Sequence, residues 1–371
     1  MGASRIQVGV IGTGFGAQVH LPALAALPDF EIVAVCGRND AKVEAIADAY
    51  DIRNTFADYR DLIACADVEA VTIATPPAQH HPTAIAAITA GKHVLCEKPM
   101  ARNANEAREM LRMAEMGNVT AMLSHEFRFV PARARMKELL DEGYIGAVSL
   151  VQLSFLRPLL ADARGNAWHW LVDADAGGGM LGALGAHFVD ALRWWFGEIT
   201  EVAGASSVSA PTVRAAGANV LHADAEDTFA MLLRFSSGAI GNIICSATAW
   251  HGPGEEIRAF GSGGMLMIAL DGTLWGAQHG DPSPQAVQIP ARLIGSGIPE
   301  VDDAPAVHAL IPPFIRLART WAHGIRTGTS PSPSFADGLR VQEALDAVPR
   351  SQEQHKWVDV SGARWPVAPA R

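Results

Sequence analysis

A glycine-rich turn near the start of the chain, between an apolar run and a helical pattern, constrains the fold most. The segment Val8–Ala17 reads V-G-V-I-G-T-G-F-G-A, with small residues at positions 12, 14 and 17. In this spacing one glycine makes the turn, the next admits a pyrophosphate against the backbone, and the third small residue lets the helix approach the sheet. The alternative is a purely structural turn. The candidate contacts of a dinucleotide are Gly12, Gly14, Phe15, Gly16 and Ala17.

Strand-like and helical segments alternate through the first third of the chain. Such alternation predicts a doubly wound parallel sheet, so we expect an α/β fold that begins with a Rossmann domain over residues 1–124. The strand-like runs are Arg5–Ile11, Glu31–Cys36, Ala70–Ala74, His93–Cys96 and Val119–Ser124.

The pattern changes after residue 124, where strand-like runs begin to follow one another with only tight turns between them. Closely spaced strands of this kind predict a C-terminal α/β domain over residues 125–371 with an open, mainly antiparallel sheet. These runs are Ala147–Phe155, Thr228–Phe235, Ala239–Ala247, Glu256–Phe260 and Gly264–Ala269.

Charge and cysteine content narrow the classes of partner. The formal net charge is −10, and no cluster of Lys and Arg stands out, so neither nucleic acid nor an anionic membrane is an expected partner. No apolar run approaches the roughly 18 residues of a membrane span. The four cysteines lie far apart, which is typical of reduced thiols, and we therefore expect a cytoplasmic protein.

The end of the second strand-like run bears on which dinucleotide binds. An NAD enzyme usually carries an acid there, whereas this chain reads V-C-G-R-N at residues 35–39. Gly37 leaves space where the acid would sit, and Arg38, beside Asn39, offers a guanidinium fork to a 2′-phosphate. Lys42 could add a second charge. This pattern favours NADP over NAD, with a solvated surface arginine as the alternative.

The second motif is G-K-H-V-L-C-E-K-P at residues 91–99. Together with the glycine turn, it makes the chain resemble the glucose–fructose oxidoreductase/inositol dehydrogenase/MocA (Gfo/Idh/MocA) family of nicotinamide-dependent sugar and cyclitol oxidoreductases. The resemblance extends along nearly the whole chain. Its further motifs are Thr75-Pro76-Pro77, His80, Arg128-Phe129, Gly143–Gly146, Gly177-Gly178-Gly179, Gly185-x-His187-x-x-Asp190 and Pro333–Gly338.

The resemblance implies two catalytic residues. Lys98 would sit at the nicotinamide and hydrogen-bond the substrate hydroxyl that loses hydride, in a turn shaped by Glu97. His187 would be the general acid/base, and an imidazole suits that role at neutral pH. Independently of the family, a lysine right after a buried apolar strand is expected to have a functional role, because an unpaired buried charge is costly. No metal is needed for this chemistry.

The resemblance also implies binding residues. Thr75, Pro76, Pro77 and His80 would lie along the cofactor at the end of the third strand-like run. Arg128 would lie near the substrate cleft. Trp168 could stack on a sugar ring, although aromatic residues of this kind are as often part of a core.

Two positions depart from the pattern of many relatives. Ala183 stands where they carry an Asp, one helical turn before His187, so the imidazole lacks its usual charged neighbour; Asp190 could substitute for it. Glu126 stands where they carry Asn, so the polarity of the cleft is expected to differ.

The activity that the resemblance implies is reversible hydride transfer between NADP(H) and a secondary alcohol or ketone of a sugar, sugar derivative or cyclitol. The family pattern also implies a homodimer or homotetramer formed through the C-terminal sheet. Two alternatives remain. One is a catalytically silent NADP-sensing regulator, against which Lys98 and His187 argue and for which Ala183 argues mildly. The other is a structural oligomer, against which the glycine turn argues.

Overall fold

The chain forms two units. The computed structural model describes residues 4–161, 169–210, 212–214, 220–302 and 308–360. Unit 1 comprises Met1–Ala134 and Ile289–Leu339, and unit 2 comprises Arg135–Gln288 and Arg340–Arg371. The predicted division at residue 124 differs from this one, because it does not anticipate that a later segment of the chain packs into unit 1.

Unit 1 contains a six-stranded sheet in the order β3-β2-β1-β4-β5-β6, with every neighbouring pair parallel. This arrangement confirms the predicted Rossmann fold. The sequence pattern does not reveal β3, because this short edge strand has no run of buried apolar residues. The strands are β1 (Ile6–Ile11), β2 (Phe30–Cys36), β3 (Asn54–Phe56), β4 (Ala70–Ile73), β5 (His93–Cys96) and β6 (Ala121–Leu123).

The first helix begins irregularly. A π-helical turn, Gly16–His20, precedes the α-helical part, and Pro22 lies in the first turn of that part, where its missing N–H leaves no bond unmade. No helix in the described ranges is both long and apolar enough to cross a membrane. The α-helices are α1 (Leu21–Ala25), α2 (Asp40–Tyr50), α3 (Tyr59–Ala64), α4 (His80–Thr89), α5 (Ala104–Gly117), α6 (Pro131–Asp141), α7 (Ala186–Phe196), α8 (Pro299–Asp302), α9 (Ile311–Thr327) and α10 (Phe335–Gln354).

Helix α9 explains why residues 289–339 belong to unit 1. Its buried face is apolar and joins the core cluster that contains the early residues of β1 and α1. The rings of Trp321 and Phe30 stack with centroids 5.5 Å apart, and Arg326 pairs with Asp29. Burial of this face removes apolar surface from water on one side of the parallel sheet.

Unit 2 is built on a nine-stranded sheet in the order β16-β15-β14-β13-β7-β12-β11-β8-β17. Strands β9 and β10 form a separate two-stranded sheet. Neighbouring strands of the nine-stranded sheet are antiparallel except for β7 and β12, which confirms the predicted open, mainly antiparallel sheet. The strands are β7 (Val148–Leu156), β8 (Ile199–Ser207), β9 (Thr212–Arg214), β10 (Val220–His222), β11 (Thr228–Phe235), β12 (Ile240–Ser246), β13 (Gly254–Gly261), β14 (Gly264–Ile268), β15 (Leu274–Gln278), β16 (Gln285–Ala286) and β17 (Val358–Asp359).

The two faces of the unit 2 sheet differ in exposure. On one face, α7 packs against the strands, with the rings of Phe196 and Phe235 6.0 Å apart. On the other face, apolar side chains that include Leu232, Ile240 and Ile244 are 44–48% exposed. Alternation along a strand places such residues on one side of the sheet, so this face presents an apolar surface.

Candidate active site

The glycine turn after β1 has the geometry that the motif predicts. Gly12 has φ +112°, and a Cβ there would lie 2.3 Å from the carbonyl oxygen of Ala74, so only glycine fits. A Cβ on Gly14 would meet no atom within 4 Å. The helix approaches the sheet most closely at Gly16, whose Cβ would lie 3.3 Å from that of Ala74, whereas Ala17 is half-buried. Gly16 therefore makes this close approach, and Ala17 packs against the core cluster of β1 and α1.

These features fit the pyrophosphate of a dinucleotide. The space over Gly14 lets a ligand approach the backbone where the helix starts, and amide groups at a helix start favour an anion. The hydroxyl of Thr75, after β4, is buried and has no hydrogen-bond partner among the described residues. Phe15 is half-buried, and its ring forms a T-shaped pair with that of His20, with centroids 5.7 Å apart.

The end of β2 is more crowded than the sequence predicts. A Cβ on Gly37 would lie 2.6 Å from Cγ2 of Thr13, so the space expected for a missing acid is filled by a threonine side chain. Asn39 caps α2, because its Oδ1 accepts a hydrogen bond from the backbone N–H of Lys42 at 2.9 Å. Arg38 and Lys42 have exposed side chains, and no described residue forms an ion pair with Arg38.

His80 lies between the turns that follow β4 and β5. The ring is fully buried, with Nδ1 2.8 Å from the carbonyl oxygen of Pro99 and Nε2 2.9 Å from that of Thr75. Burial is the largest influence and lowers the pKa of His80. Through its two nitrogens the ring joins the turns after β4 and β5. Pro76 is half-buried and Pro77 buried, at the start of the turn that leads into α4.

The turn after β5 carries Glu97 and Lys98. Glu97 is 5% exposed, and its Oε1 lies 3.1 Å from Nε2 of His20. Its Oε2 accepts a hydrogen bond from the backbone N–H of Lys98 at 3.3 Å. Burial raises the pKa of Glu97, but His20, Lys98 and Ser124 together outweigh it and lower the pKa below its usual range. The Lys98–Pro99 peptide is cis, and the Lys98 side chain is half-buried.

The turn after β6 carries a second buried carboxyl group. Glu126 is fully buried, and the Ser124 hydroxyl donates a hydrogen bond to its Oε2 at 3.3 Å. Burial and then the charge of Glu97 raise the pKa of Glu126 to about 8, although Lys98 acts in the opposite direction. The sequence marked Glu126 as a departure from relatives but gave no signal that it would be buried beside Glu97. Nothing in the sequence singled out Ser124 or His20.

Arg128 lies in the same turn and is 5% exposed. Its Nη1 donates a hydrogen bond to the Ser332 hydroxyl at 2.6 Å, and its Nη2 lies 3.5 Å from Oδ1 of Asp337. Asp337 also accepts a hydrogen bond from the backbone N–H of Ser334 at 2.8 Å. The motif near residues 333–338 therefore holds Arg128 within unit 1, a role that sequence reasoning did not assign to it.

In unit 2, His187 is the second residue of α7 and is 2% exposed. The π-helical turn Leu181–Gly185 precedes it and contains Ala183. Because a π turn pairs residues five apart, positions 183 and 187 are separated by slightly less than one full turn. Asp190 is also buried. Trp168 lies outside the described residues.

A carboxylate that the sequence analysis missed lies at the start of this π-helical turn. Oε1 of Glu226 accepts a hydrogen bond from the backbone N–H of Leu181 at 2.9 Å. A Cβ on Gly179 would lie 2.2 Å from the same oxygen, so the last glycine of the triplet makes room for the carboxylate. Burial raises the pKa of Glu226.

The strand order of unit 1, with a glycine turn after β1 and polar turns after β4, β5 and β6, defines a dinucleotide-binding domain with its site at the carboxyl ends of parallel strands. Residues 6–125 match a family model described as oxidoreductase family, NAD-binding Rossmann fold. Residues 133–267 match the Gfo/Idh/MocA C-terminal domain. The chain belongs to the Gfo/Idh/MocA family of oxidoreductases, and its cofactor is a nicotinamide dinucleotide.

Relatives match along almost the whole chain. An uncharacterized oxidoreductase of Synechocystis sp. is 34% identical over 368 residues, which cover 96% of each chain. Levoglucosan dehydrogenase of Pseudarthrobacter phenanthrenivorans is 30% identical over 390 residues, covering 96% of this chain and 98% of the relative. A solved structure of levoglucosan dehydrogenase in complex with NADH and levoglucosan matches with a TM-score of 0.84 and 29% identity, covering 96% of this chain and 100% of that one.

Proposed function

We propose that this protein transfers hydride reversibly between NADP(H) and a secondary alcohol or ketone of a sugar, sugar derivative or cyclitol. The observation that carries the proposal is the place of Lys98. It lies two residues after the end of β5, at the carboxyl edge of the same parallel sheet that carries the open glycine turn after β1. The likeness to levoglucosan dehydrogenase supports a sugar-like substrate.

Lys98 is proposed to donate a hydrogen bond to the substrate hydroxyl, whose oxygen gains negative charge as hydride leaves the neighbouring carbon. Glu97 supports this role because it accepts a hydrogen bond from the Lys98 backbone N–H and is itself held by His20. When bound, the nicotinamide ring supplies the hydride acceptor or donor. His187 is proposed to take the proton of the hydroxyl during oxidation and to return it during reduction.

The cofactor preference rests on the end of β2. Arg38 is exposed and has no ion-pair partner in the described ranges, so its guanidinium is available to a 2′-phosphate. Lys42, in the first turn of α2, is proposed to add a second positive charge, and Asn39 caps that turn. The related levoglucosan dehydrogenase was solved with NADH, and NADP preference is proposed for this chain on its own residues.

Further substrate contacts and the assembly are proposed from the family pattern. Arg128 and Trp168 are proposed to border the substrate. The exposed apolar face that carries Leu232, Ile240 and Ile244 is proposed to bind the same face of a second copy, as a homodimer or homotetramer would require.

The proposal is tested by a substrate screen. Purified protein is incubated with levoglucosan, D-glucose and myo-inositol, each with NADP⁺ and with NAD⁺, and the absorbance of the reduced cofactor is followed. Turnover of at least one compound, faster with NADP⁺, is expected. Tight NADPH binding without turnover of any sugar, polyol or cyclitol would favour the sensor instead. Absence of binding of either cofactor would contradict both.

A further inference from the structure

Two buried carboxyl groups lie on neighbouring turns of unit 1. Glu97 follows β5 and Glu126 follows β6, and these strands are adjacent in the sheet. The Ser124 hydroxyl donates a hydrogen bond to Oε2 of Glu126 at 3.3 Å, and Ser124 also helps to lower the pKa of Glu97. The turns are tied further by the backbone, because the N–H of Ser124 donates to the carbonyl oxygen of Cys96 at 2.8 Å.

Mutual repulsion decides the charge of this pair. Two ionised carboxylates this close in a buried site repel each other, and one of them then keeps its proton. His20 and the Lys98 ammonium favour the ionised form of Glu97. The remaining proton therefore belongs to Glu126, whose pKa is raised to about 8 by burial and by Glu97.

We propose that Glu126 is a positioning residue that acts on Lys98 through its own protonation state. While Glu126 is neutral, the ionised carboxylate that attracts the ammonium is that of Glu97. When Glu126 ionises, a second carboxylate competes for the ammonium and draws its hydrogen bonds away from a substrate hydroxyl. This inference rests on the proposed role of Lys98 and assigns a role to a residue that departs from the family pattern.

The surroundings limit which groups can take part. The charges of Glu97 and Lys98, on the turn after β5, shift the pKa of Glu126. Ser124, on the same turn as Glu126, shifts this pKa through its hydrogen bond. His20 faces Glu97 rather than Glu126. His125 is the buried neighbour in sequence, and Arg128 of the same turn is engaged by Ser332 and Asp337. Helix α9 packs against this turn, and its buried face is apolar.

Infrared difference spectroscopy of the intact protein tests the protonation without any ligand. The carbonyl stretch of a protonated carboxylic acid is expected near pH 6 and should disappear with a midpoint near pH 8. Glu126→Gln should lack this titration. Ser124→Ala should move the midpoint upward, because the serine hydroxyl favours the ionised form. Glu226→Gln removes another buried carboxyl group and should leave the titration in place. A titration that survives Glu126→Gln would overturn the proposal.

A second readout follows Lys98 itself. Isotope-labelled methyl groups are attached to the lysine amines and observed by nuclear magnetic resonance. The spectrum is simple because the chain has five lysines. The signal that is lost in Lys98→Arg is assigned to Lys98. Its shift should follow the titration of Glu126 in the unaltered protein and be flat over the same range in Glu126→Gln. A Lys98 signal that moves identically in both proteins would overturn the action on Lys98.

The pH dependence of turnover then connects the cluster to catalysis. If the neutral form is the productive one, kcat on the best substrate of the screen should fall about tenfold from pH 7 to pH 9. In Glu126→Gln this alkaline fall should be missing. A fall that persists in Glu126→Gln would overturn the role in catalysis. Failure of the proposed function is distinguishable, since it would abolish turnover while leaving the infrared and lysine titrations as described.

Discussion

The Nε2 atom of His20 lies 3.1 Å from Oε1 of Glu97, although 77 residues separate them in the chain. This contact ties the helix that follows the glycine turn to the turn that carries Lys98. The His20 ring also stacks on Phe314 of α9, with centroids 4.3 Å apart. A buried histidine and a segment from the last quarter of the chain thus support the residues that the motifs single out.

Arg38 is predicted to control the choice of cofactor. Arg38→Ala should weaken NADPH binding about 10- to 100-fold and leave NADH binding nearly unchanged, because a charge-assisted bond contributes roughly 1.5–3 kcal/mol. Fluorescence titration of both cofactors measures this. Arg53→Ala is the matched control, since that exposed arginine pairs with Glu31 at the opposite end of β2. Equal affinities of the unaltered protein for the two cofactors would contradict the prediction.

Gly37 and Thr13 are predicted to be coupled. Gly37→Asp, which installs the acid usual in NAD enzymes, should destabilise the protein because its Cβ would lie 2.6 Å from Cγ2 of Thr13. Thr13→Ala removes the obstructing atoms, so the double variant should regain stability on the order of 1 kcal/mol relative to additivity. Urea unfolding of all four proteins measures this coupling. Strictly additive losses would show that the threonine yields without strain.

Lys98 is predicted to serve turnover rather than cofactor binding. Lys98→Met keeps the length of the side chain and removes the ammonium, so NADPH should still bind while kcat falls about 100- to 1000-fold, as when one donor to a developing oxyanion is lost. Stopped-flow assays and cofactor titrations on one preparation separate the two effects. Lys356→Met, at an exposed lysine, is the control. Undiminished kcat in Lys98→Met would remove the lysine from the mechanism.

His187 and Ala183 are predicted to govern the pH profile of alcohol oxidation. His187→Ala should lower kcat about 100-fold or more near neutral pH, where a general base is needed, and less at high pH. Ala183→Asp should move the acid limb of the profile to higher pH, because a nearby carboxylate favours the protonated imidazole. Ala183→Asn is the control for added bulk without charge. Profiles that both variants leave unchanged would mean that the proton leaves by another route.

Glu126 is predicted to make stability depend on pH. Its pKa is raised from 4.5 to about 8, so between these values the folded protein holds a proton that the unfolded chain has lost. The free energy of unfolding should therefore fall as pH rises through this window, by up to about 1.4 kcal/mol per pH unit. Glu126→Gln should lack this slope.

Urea unfolding at several pH values between 5 and 9 measures the slope. Glu115→Gln, at an exposed position of α5, is the control and should behave like the unaltered protein. Parallel stability curves for Glu126→Gln and the unaltered protein would mean that Glu126 does not hold this proton.

The sequence by itself determined the fold class and the placement of the motifs. The glycine turn can be recognised in the sequence because its geometry requires glycine. Gly12 has φ +112° and lies so close to Ala74 that no side chain fits there. The strands and helices can be recognised because apolar residues recur at a spacing that differs between the two kinds of element. The segment containing Lys98 was found by its family motif, and its chemical role remains a prediction.

Only the tertiary structure decided which distant residues meet. The order of the strands brings the turns that carry Glu97 and Glu126 side by side, and it places Thr13 where the sequence left space beside Gly37. It also returns α9 to unit 1 and holds Arg128 against Asp337. The spacing of residues along the chain cannot reveal such pairs. The contacts and the burial of a side chain, and therefore its pKa, depend on which elements pack together, and the whole sheet decides this rather than any local pattern.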